Sequence, residues 1–350
     1  MTDRKKVVVA LSGGVDSTLT ARLLLDAGYD VAAATMHQFD GQDTSDASAM
    51  AEFLGIPHKV FDVREEYRAW VLRYFIDAYA RGETPNPCMV CDFRIKFGIF
   101  YDRARAHFGA DYFATGHYAR ILWEPARGKY AVHKGVDAAK DQSYMMYRLT
   151  QDQLAHILFP LGRMTKQDAR RLSEEKGLPT YNKAESQDMC FLAAGDSYKD
   201  YLAAHAPDIF RPGDITDAEG RVLGRHRGLP CYTIGQRKGL GLAAKTPLYV
   251  TALDGARNRV IVGSNASLFR TRLLAGDLAF PDGEAPGEVF SCTAKIRYAA
   301  PPAPCTVTVQ RDGRAAVSFA DAQRAVTPGQ SVVFYDGDRL LGGGTILRPL

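Results

Sequence analysis

The sequence predicts an α/β protein with a parallel sheet at its N-terminal end, followed by a small central β-rich domain and a C-terminal β-barrel. Three observations predict this order. Short apolar runs alternate with amphipathic helices in the first third, a glycine-rich turn joins the first strand to the first helix, and turn signals recur after about residue 205. Such alternation favours a parallel sheet covered by helices. We expect domains at residues 1–205, 206–278 and 279–350.

Apolar runs and their stop signals place the individual elements. The predicted strands of the first domain are 7–11, 31–36, 59–63 and 111–115. The predicted helices are 17–27, 45–54 and 65–80. Thr165 and Asp168 have the spacing of a capping box before a helix over 166–176. Beyond residue 205, strand-like pieces at 248–253, 260–262, 305–309 and 331–335 lie between Pro-Gly, Glu-Gly and Asp-Gly turns, which is typical of β domains.

Composition and charge exclude several classes of protein. No apolar run approaches the roughly 18 residues of a membrane span, and the run at 7–11 is too short for the core of a signal peptide, so we expect a cytoplasmic protein. Six cysteines in 350 residues are too few for a disulfide scaffold. The net charge is +4, and residues 206–350 hold 18 basic against 13 acidic residues. A polyanion would bind there more readily than to the first domain, although chance explains this imbalance equally well.

The first strand runs into Ser-Gly-Gly-Val-Asp-Ser at residues 12–17, which opens a helix. Two glycines allow a tight turn and close approach of the backbone to a phosphate, whose charge the N–H groups and the helix N-terminus then bind. Ser12 and Ser17 add hydroxyl donors, and Asp16 suits a site that also holds Mg²⁺. The segment is neither a Walker P-loop nor a dinucleotide fingerprint. An ordinary capped turn is the alternative.

This loop resembles the PP-loop of the ATP pyrophosphatases, whose fold is of the adenine nucleotide alpha hydrolase type. The resemblance implies that ATP adenylates an oxygen of the substrate with release of pyrophosphate, and that a nitrogen or sulfur nucleophile then displaces AMP. Several ligases and tRNA thiolases share this loop, so the loop alone does not choose between them.

Further motifs lie in order along nearly the whole chain. They are Thr-Pro-Asn-Pro-Cys-Met-Val-Cys at 84–91, Ile-Lys-Phe-Gly at 95–98, Lys-Asp-Gln-Ser-Tyr at 140–144, Glu-Ser-Gln-Asp-Met-Cys-Phe at 185–191, Tyr-Thr-Ile-Gly-Gln-Arg-Lys-Gly-Leu-Gly at 232–241, Ala-Lys-Ile-Arg-Tyr at 294–298, Pro-Gly-Gln at 328–330 and Leu-Gly-Gly-Gly at 341–344. Together they closely resemble the bacterial tRNA-specific 2-thiouridylases. That resemblance implies replacement of the C2 oxygen of the wobble uridine by sulfur after adenylation by ATP.

The resemblance also implies the roles of single residues. Cys190 would carry a persulfide, and Cys91 would release its sulfur and close a transient disulfide. Apart from the resemblance, each cysteine could be a small buried apolar side chain. The implied ATP-binding residues are Ala10, Leu11, Ser12, Gly13, Gly14, Val15, Asp16, Ser17, Met36 and Gly116. Those implied to face the flipped-out target base are Asn86, Pro87 and Cys88.

The implied tRNA contacts lie in two regions. They are His117, Lys140, Asp141, Gln142, Arg297, Tyr298 and Gln330. Basic and aromatic groups suit phosphate contact and base stacking. Alternatively, His117 could be a hydrogen-bonded core histidine and Arg297 a solvated charge. We also expect Arg237 and Lys238, close to Arg221, Arg225 and Arg227, to help bind RNA, although a glycine-rich hairpin with solvated charges is the alternative. A sulfur-donor protein or cysteine desulfurase relay is the other implied partner.

This sequence departs from the family pattern at two positions. Asp92 stands where many members have Asn, and a carboxylate there would raise the pKa of Cys91. Cys88 stands where some members have Asp. Cys88, Cys91 and Cys190 could then hold a 4Fe–4S cluster with one open iron, which is a pattern the family also contains. The segment 37–48 looks shorter than usual, which puts a sulfur-donor contact there in doubt.

Two other functions stay open from the sequence. An adenylating ligase of the same superfamily could act on a small metabolite, but it would not need the reactive cysteines or the basic β region. A non-catalytic RNA-binding protein would leave the loop at 12–17 unexplained and would not turn over ATP.

Overall fold

The computed structural model describes residues 4–184, 189–192 and 195–350. Seventeen strands lie in these ranges: β1 (Lys6–Ala10), β2 (Asp30–His37), β3 (His58–Asp62), β4 (Tyr112–Ala114), β5 (Ala119–Glu124), β6 (Lys129–Lys134), β7 (Ile157–Leu158), β8 (Gly213–Thr216), β9 (Val222–His226), β10 (Tyr249–Asp254), β11 (Arg259–Gly263), β12 (Phe269–Ala279), β13 (Val289–Lys295), β14 (Ala303–Val309), β15 (Ala315–Arg324), β16 (Ser331–Asp336) and β17 (Arg339–Pro349).

The α-helices of the same ranges belong mainly to the first domain. They are α1 (Val15–Asp26), α2 (Ser45–Leu54), α3 (Arg64–Tyr67), α4 (Arg73–Ala80), α5 (Pro87–Val90), α6 (Tyr101–Phe108), α7 (Gln151–His156), α8 (Lys166–Glu175) and α9 (Tyr198–His205). Two π-helical segments, Arg68–Leu72 and Cys91–Phe100, connect α3 to α4 and α5 to α6. None of these described helices combines the length and the apolarity that crossing a membrane requires.

The first domain contains the predicted parallel sheet, with strand order β3-β2-β1-β4-β7 and all pairings parallel. The interior of its central strand is apolar, and Val7, Val8 and Val9 are fully buried, as expected for a sheet covered on both faces. The helix predicted over 45–54 has these bounds, and Gly55 ends it in the left-handed conformation. The predicted capping box of α8 is confirmed, because Thr165 and Asp168 bond reciprocally.

The long helix predicted over 65–80 contains a π-helical turn that the periodicity does not predict. Arg68–Leu72 interrupts the helix, and a second π segment begins at Cys91. Single π turns occur often at functional sites because they change the direction in which the following side chains point. Here they bring Tyr67 and Cys91 into one buried cluster with Phe191.

The central and C-terminal parts are the expected β structures. The central sheet has strand order β10-β11-β8-β9. The last six strands form an antiparallel barrel, which closes where β12 pairs with both β15 and β17. Since β12 is paired within the barrel, the expected boundary at 278/279 falls at the end of this strand rather than before it.

The hairpin β5–β6 was not predicted from the sequence. It leaves the first domain and extends the barrel sheet, since β6 pairs with β17 at His133 and Arg339. A second contact joins the same two domains. The N–H of Thr84 donates to the carbonyl of Pro328 at 3.0 Å. The barrel is therefore held against the first domain through backbone as well as side chains.

Candidate active site

The glycine-rich loop lies between β1 and α1, at the carboxyl end of the parallel sheet. The N–H of Ser12 donates to Ser17 Oγ at 3.1 Å, and this hydroxyl donates to the carbonyl of Gly14 at 3.3 Å. Gly13 has φ +73°, and a Cβ there would lie 2.6 Å from the carbonyl carbon of Asp46. Only glycine fits this turn, because a side chain would be strained and would clash with backbone.

A cavity of about 260 Å³ opens beside this loop. Seven of the ten residues expected to bind ATP line it: Ala10, Leu11, Ser12, Asp16, Ser17, Met36 and Gly116. Gly13, Gly14 and Val15 shape the loop without lining the cavity. Open α/β sheets bind nucleotides in such a place, at the carboxyl ends of parallel strands and next to a helix N-terminus. We therefore call this cavity the nucleotide cavity.

Two close approaches define the cavity walls. The Thr35 hydroxyl donates to the carbonyl of Leu11 at 2.6 Å and lies 2.8 Å from His58 Nε2, which joins β2 to β1 and β3. A Cβ on Gly116 would lie 2.8 Å from the Cβ of Asp16. Thr35 was not identified from the sequence, where it is one more residue of an apolar strand.

Asp16 has a cationic partner within the protein. Its carboxylate accepts from the ammonium of Lys166 at 2.7 and 2.8 Å and from the hydroxyl of Tyr118 at 2.8 Å. Lys166 is the first residue of α8 and is 8% exposed. The sequence predicts a role for Asp16 beside Mg²⁺ but does not identify Lys166, which is distant in sequence. Binding of Mg²⁺ here stays a prediction.

The first cysteine motif forms the short helix α5 and the π segment after it. Asn86 is the N-cap, and its side-chain oxygen accepts from the N–H of Met89 at 3.1 Å. Pro87 occupies the first helical position, where its missing N–H costs nothing. Cys88 is exposed on this helix, whereas Cys91, at the start of the π segment, is only 9% exposed.

The charged groups near Cys91 have opposite effects on its pKa. Gln38, also buried, donates its side-chain N–H to the Cys91 sulfur at 3.4 Å. Burial raises the pKa of Cys91 well above its usual value; the Lys96 ammonium opposes this rise, and the Asp92 carboxylate adds to it. The expected direction of the Asp92 effect is therefore confirmed, but Lys96 acts against it. Burial alone would lower the pKa of Lys96, yet its ion pair with Asp92 raises it, so the ammonium stays charged.

Cys190 is brought close to the first motif by an aromatic anchor. The next residue, Phe191, packs against Phe75 and Tyr201 with ring centroids 5.2 and 4.9 Å apart. The Cys190 sulfur lies 3.3 Å from the Tyr67 hydroxyl. The protein around the sulfur partly desolvates it and raises its pKa, and the contact with Tyr67 opposes this rise. The residue itself is exposed. Residues 185–188, which belong to the same sequence motif, lie outside the described residues.

Cys88, Cys91 and Cys190 are close enough to influence one another. Although Cys88 is exposed as a residue, the surrounding protein partly desolvates its sulfur and raises its pKa to about 11, with Asp92 and Cys190 adding to the rise. As placed, however, the three thiols do not fit an iron–sulfur cluster. Nowhere in 4–184, 189–192 and 195–350 are three His, Cys, Asp or Glu side chains arranged to hold a metal ion.

Some of the residues of the first domain that are expected to contact tRNA are buried. His117 is 8% exposed, lines the nucleotide cavity and bonds through Nδ1 to the Thr115 hydroxyl at 2.6 Å. Burial, with Lys96 nearby, lowers the pKa of His117 to about 3, so it is neutral. This matches the alternative of a hydrogen-bonded core histidine. Lys140 is partly exposed, and its N–H donates to the carbonyl of Asp137.

Asp141 and Gln142 have structural partners. The buried Asp141 carboxylate accepts from the N–H groups of Gly135 and Ser143, both at 3.0 Å. Gln142 accepts from the N–H of Tyr118 at 2.9 Å and also lines the nucleotide cavity. Both side chains therefore hold the segment after the hairpin in place, and direct contact with tRNA stays a prediction.

The expected contacts in the barrel lie at two places. Arg297 and Tyr298 are exposed in the β13–β14 connection, and the Lys295 ammonium lies 5.6 Å from the Tyr298 ring centroid. Gln330 instead faces the first domain, where its amide donates to the carbonyls of Thr84 and Pro85 at 2.9 and 3.3 Å. Gln330 thus holds the backbone just before Asn86.

In the central domain, Arg237 and Lys238 are exposed, as required for RNA contact. Of the neighbouring arginines, Arg221 is paired with Asp217 and Arg225 with Asp214. A role of this region in RNA binding therefore stays a prediction.

Together, the parallel sheet, the glycine-rich loop and the cavity beside it define an ATP-using enzyme of the PP-loop class. The chain matches three family models: the tRNA methyl transferase HUP domain over residues 5–194, the tRNA methyl transferase PRC-barrel domain over 199–264 and the aminomethyltransferase beta-barrel domain over 270–346.

Curated relatives match over almost their full length. A tRNA-specific 2-thiouridylase MnmA of Chloroflexus aggregans is 48% identical over 356 residues, covering 98% of each chain. The protein of the same name from Moorella thermoacetica is 49% identical over 355 residues, covering 97% of this chain and 98% of the relative. The chain belongs to the family of tRNA-specific 2-thiouridylases.

Proposed function

We propose that this protein is a tRNA-uridine 2-sulfurtransferase. ATP adenylates the C2 oxygen of the wobble uridine in the anticodon with release of pyrophosphate, and sulfur then replaces that oxygen while AMP leaves. Family membership supports the overall reaction, since the curated relatives are named for it. The residues that perform each step are proposed from the geometry of the site.

One observation carries the proposal: the nucleotide cavity and the buried thiol share a wall. Gln38 lines the cavity and also donates to the Cys91 sulfur at 3.4 Å. Lys96 lines the same cavity, and its charge acts on the pKa of Cys91. A substrate oxygen activated in this cavity would therefore lie near the sulfur that must replace it. A ligase acting on a small metabolite would have no use for this arrangement.

The sulfur step follows from the different exposure of the two cysteines. Cys190 is exposed, so a sulfur-donor protein or desulfurase relay can convert its thiol to a persulfide. The buried Cys91, as thiolate, attacks the Cys190 sulfur that is attached to the chain. A Cys91–Cys190 disulfide forms, and the outer sulfur leaves as hydrosulfide, which attacks C2 of the adenylated uridine and expels AMP. External reductant then returns the disulfide to two thiols.

The target base must leave its stack to reach this site, because C2 is otherwise inaccessible. Asn86, Pro87 and Cys88 are the residues proposed to face it, since they begin the helix that leads to Cys91. Mg²⁺ would accompany the ATP phosphates, with Asp16 as the nearest carboxylate of the loop. Binding Mg²⁺ would require Asp16 to share its contact with Lys166.

The test is a reconstituted reaction with unmodified tRNA, Mg-ATP, a cysteine desulfurase, cysteine and reductant, analysed for 2-thiouridine after digestion. The wild type and Cys88→Ser should form 2-thiouridine, whereas Cys91→Ser and Cys190→Ser should not. Pyrophosphate release that depends on tRNA should persist in both inactive variants, because adenylation needs neither thiol.

Iron content, measured after anaerobic purification, separates the alternatives. Activity that needs bound iron and all three cysteines would replace the persulfide route with a cluster. Pyrophosphate release that ignores tRNA, with no 2-thiouridine formed, would instead indicate a small-metabolite ligase.

A further inference from the structure

A second and larger cavity, of about 500 Å³, lies where the first domain meets the barrel. We call it the Trp70 groove. It is separate from the nucleotide cavity, but Asn86 of the proposed target-base segment lines it. The other side chains relevant here are Trp70, Arg73, Phe93, Arg94 and Arg148. Gly329 and Ser331 of the barrel form part of the opposite wall.

Two of the arginines in the groove are available to bind an anionic ligand. Arg94 is exposed, and none of the ion pairs found among the described residues involves it. Its guanidinium lies 4.8 Å from the Phe93 ring centroid, which supports it. Arg73 is exposed and has only a 3.7 Å contact with Asp77. Arg148, in contrast, is paired with Asp277. The groove therefore offers two guanidinium groups to an anion.

Trp70 offers a flat apolar surface in the same groove. It is 40% exposed, on the π-helical segment Arg68–Leu72, and no aromatic ring of the described residues packs against it. An exposed indole beside exposed guanidinium groups matches the two parts of a nucleotide, a planar base and a phosphate. Flipping out one base also leaves its neighbour without a stacking partner, which an aromatic side chain can replace.

We propose that the Trp70 groove binds the nucleotide next to the target uridine, with its base stacked on Trp70 and its phosphate held by Arg94 and Arg73. This inference rests on the proposed function, since Asn86 places the groove beside the target base. The groove would thus position the anticodon loop, whereas adenylation and sulfur transfer take place at the nucleotide cavity and the two cysteines, Cys91 and Cys190.

The test uses an anticodon stem–loop RNA with uridine at the wobble position and measures its Kd as a function of salt. Trp70→Leu should weaken binding about five- to fiftyfold, and Trp70→Phe should retain most of the affinity. Arg94→Gln should reduce the slope of log Kd against log salt by about 0.7, as expected for one lost phosphate contact to a single strand. ATP binding should be unchanged in all three variants.

The two tryptophans of the chain provide a matched control and a direct signal. Trp123, on β5, is similarly exposed at 52%, and Trp123→Leu should leave the Kd unchanged. Trp123→Phe leaves Trp70 as the sole tryptophan, whose fluorescence a stacked base should quench. Unchanged affinity in Trp70→Leu and Arg94→Gln, or no quenching, would overturn this inference alone, provided that the wild type forms 2-thiouridine. Absence of 2-thiouridine in the wild type would overturn the proposed function instead.

Discussion

The side-chain amide of Gln38 donates a hydrogen bond to the sulfur of Cys91, across 53 residues of sequence and 3.4 Å of space. Gln38 is held in turn by Gln42, whose side-chain oxygen accepts from the Gln38 N–H at 2.6 Å. An N–H donor favours the thiolate over the thiol, because only the thiolate carries a full negative charge. Burial of Cys91 favours the neutral thiol. The hydrogen bond from Gln38 therefore helps to form the thiolate, which is the nucleophile.

Replacing Gln38 should therefore move the pH dependence of Cys91. In Gln38→Leu we expect the pH midpoint of Cys91 alkylation to rise by about one unit, because the charged form loses a donor. Gln38→Glu should raise it further by adding a carboxylate. Peptide mass spectrometry after timed alkylation measures this. An unchanged midpoint in Gln38→Leu would show that the contact does not act on the thiolate.

Asp92 and Lys96 should have opposite effects on the same thiol. Asp92→Asn removes a charge that raises the pKa of Cys91, and Lys96→Met removes one that lowers it. We expect the alkylation midpoint to fall in Asp92→Asn and to rise in Lys96→Met, so that thiolation at pH 7.5 falls in the latter.

Thermal unfolding serves as the control for these two variants, because each leaves one member of a partly buried ion pair without its partner. Shifts of the alkylation midpoint in the same direction would contradict the opposed roles of the two charges.

The two glycines of the phosphate loop should tolerate alanine differently. Gly13→Ala introduces a Cβ at φ +73° that lies 2.6 Å from backbone, so we expect a loss of about 1–3 kcal/mol in the free energy of unfolding. At Gly14 the backbone is extended and the nearest atom to a Cβ is 3.6 Å away. Gly14→Ala should cost at most about 1 kcal/mol, since alanine is a poorer N-cap. Urea unfolding without ATP measures both, and equal losses would contradict this reading of the loop.

A thiol pair in the barrel should oxidise under mild conditions. Cys292 and Cys305 are directly opposed on β13 and β14, with their sulfurs 3.5 Å apart. We expect oxidised glutathione to convert them to a disulfide by exchange, with two molecules of reduced glutathione released. Closing a loop of this size should add about 2–3 kcal/mol to the free energy of unfolding. Peptide mapping identifies the bond, with Cys305→Ser as control. Two free thiols after oxidation would refute the prediction.

The sequence was informative where chemistry needs a local run of residues. The phosphate loop, the cysteine motifs and the turn-rich β region are contiguous patterns, and the elements around them were predicted closely. The hairpin β5–β6 was missed because its partner strand β17 lies about 200 residues later, and periodicity contains no such pairing.

Several residues of the site were not predicted for the same reason. Gln38, Thr35 and Lys166 each act through a neighbour on another element, so no spacing rule identifies them. The π-helical turn at Arg68–Leu72 also escaped prediction, because a single extra residue per turn hardly disturbs the apolar pattern over 65–80.

Gln330 makes the target-base segment near the start of the chain depend on a residue near its end. The ribosome completes the phosphate loop and the first cysteine motif within the first hundred residues, but the amide that holds Thr84 and Pro85 comes only from residue 330. The hydrogen bonds from Gln330 that support the target-base segment can therefore form only after residue 330 has been synthesised. The target-base segment thus has all of its contacts only after the barrel has been synthesised and has packed against the first domain.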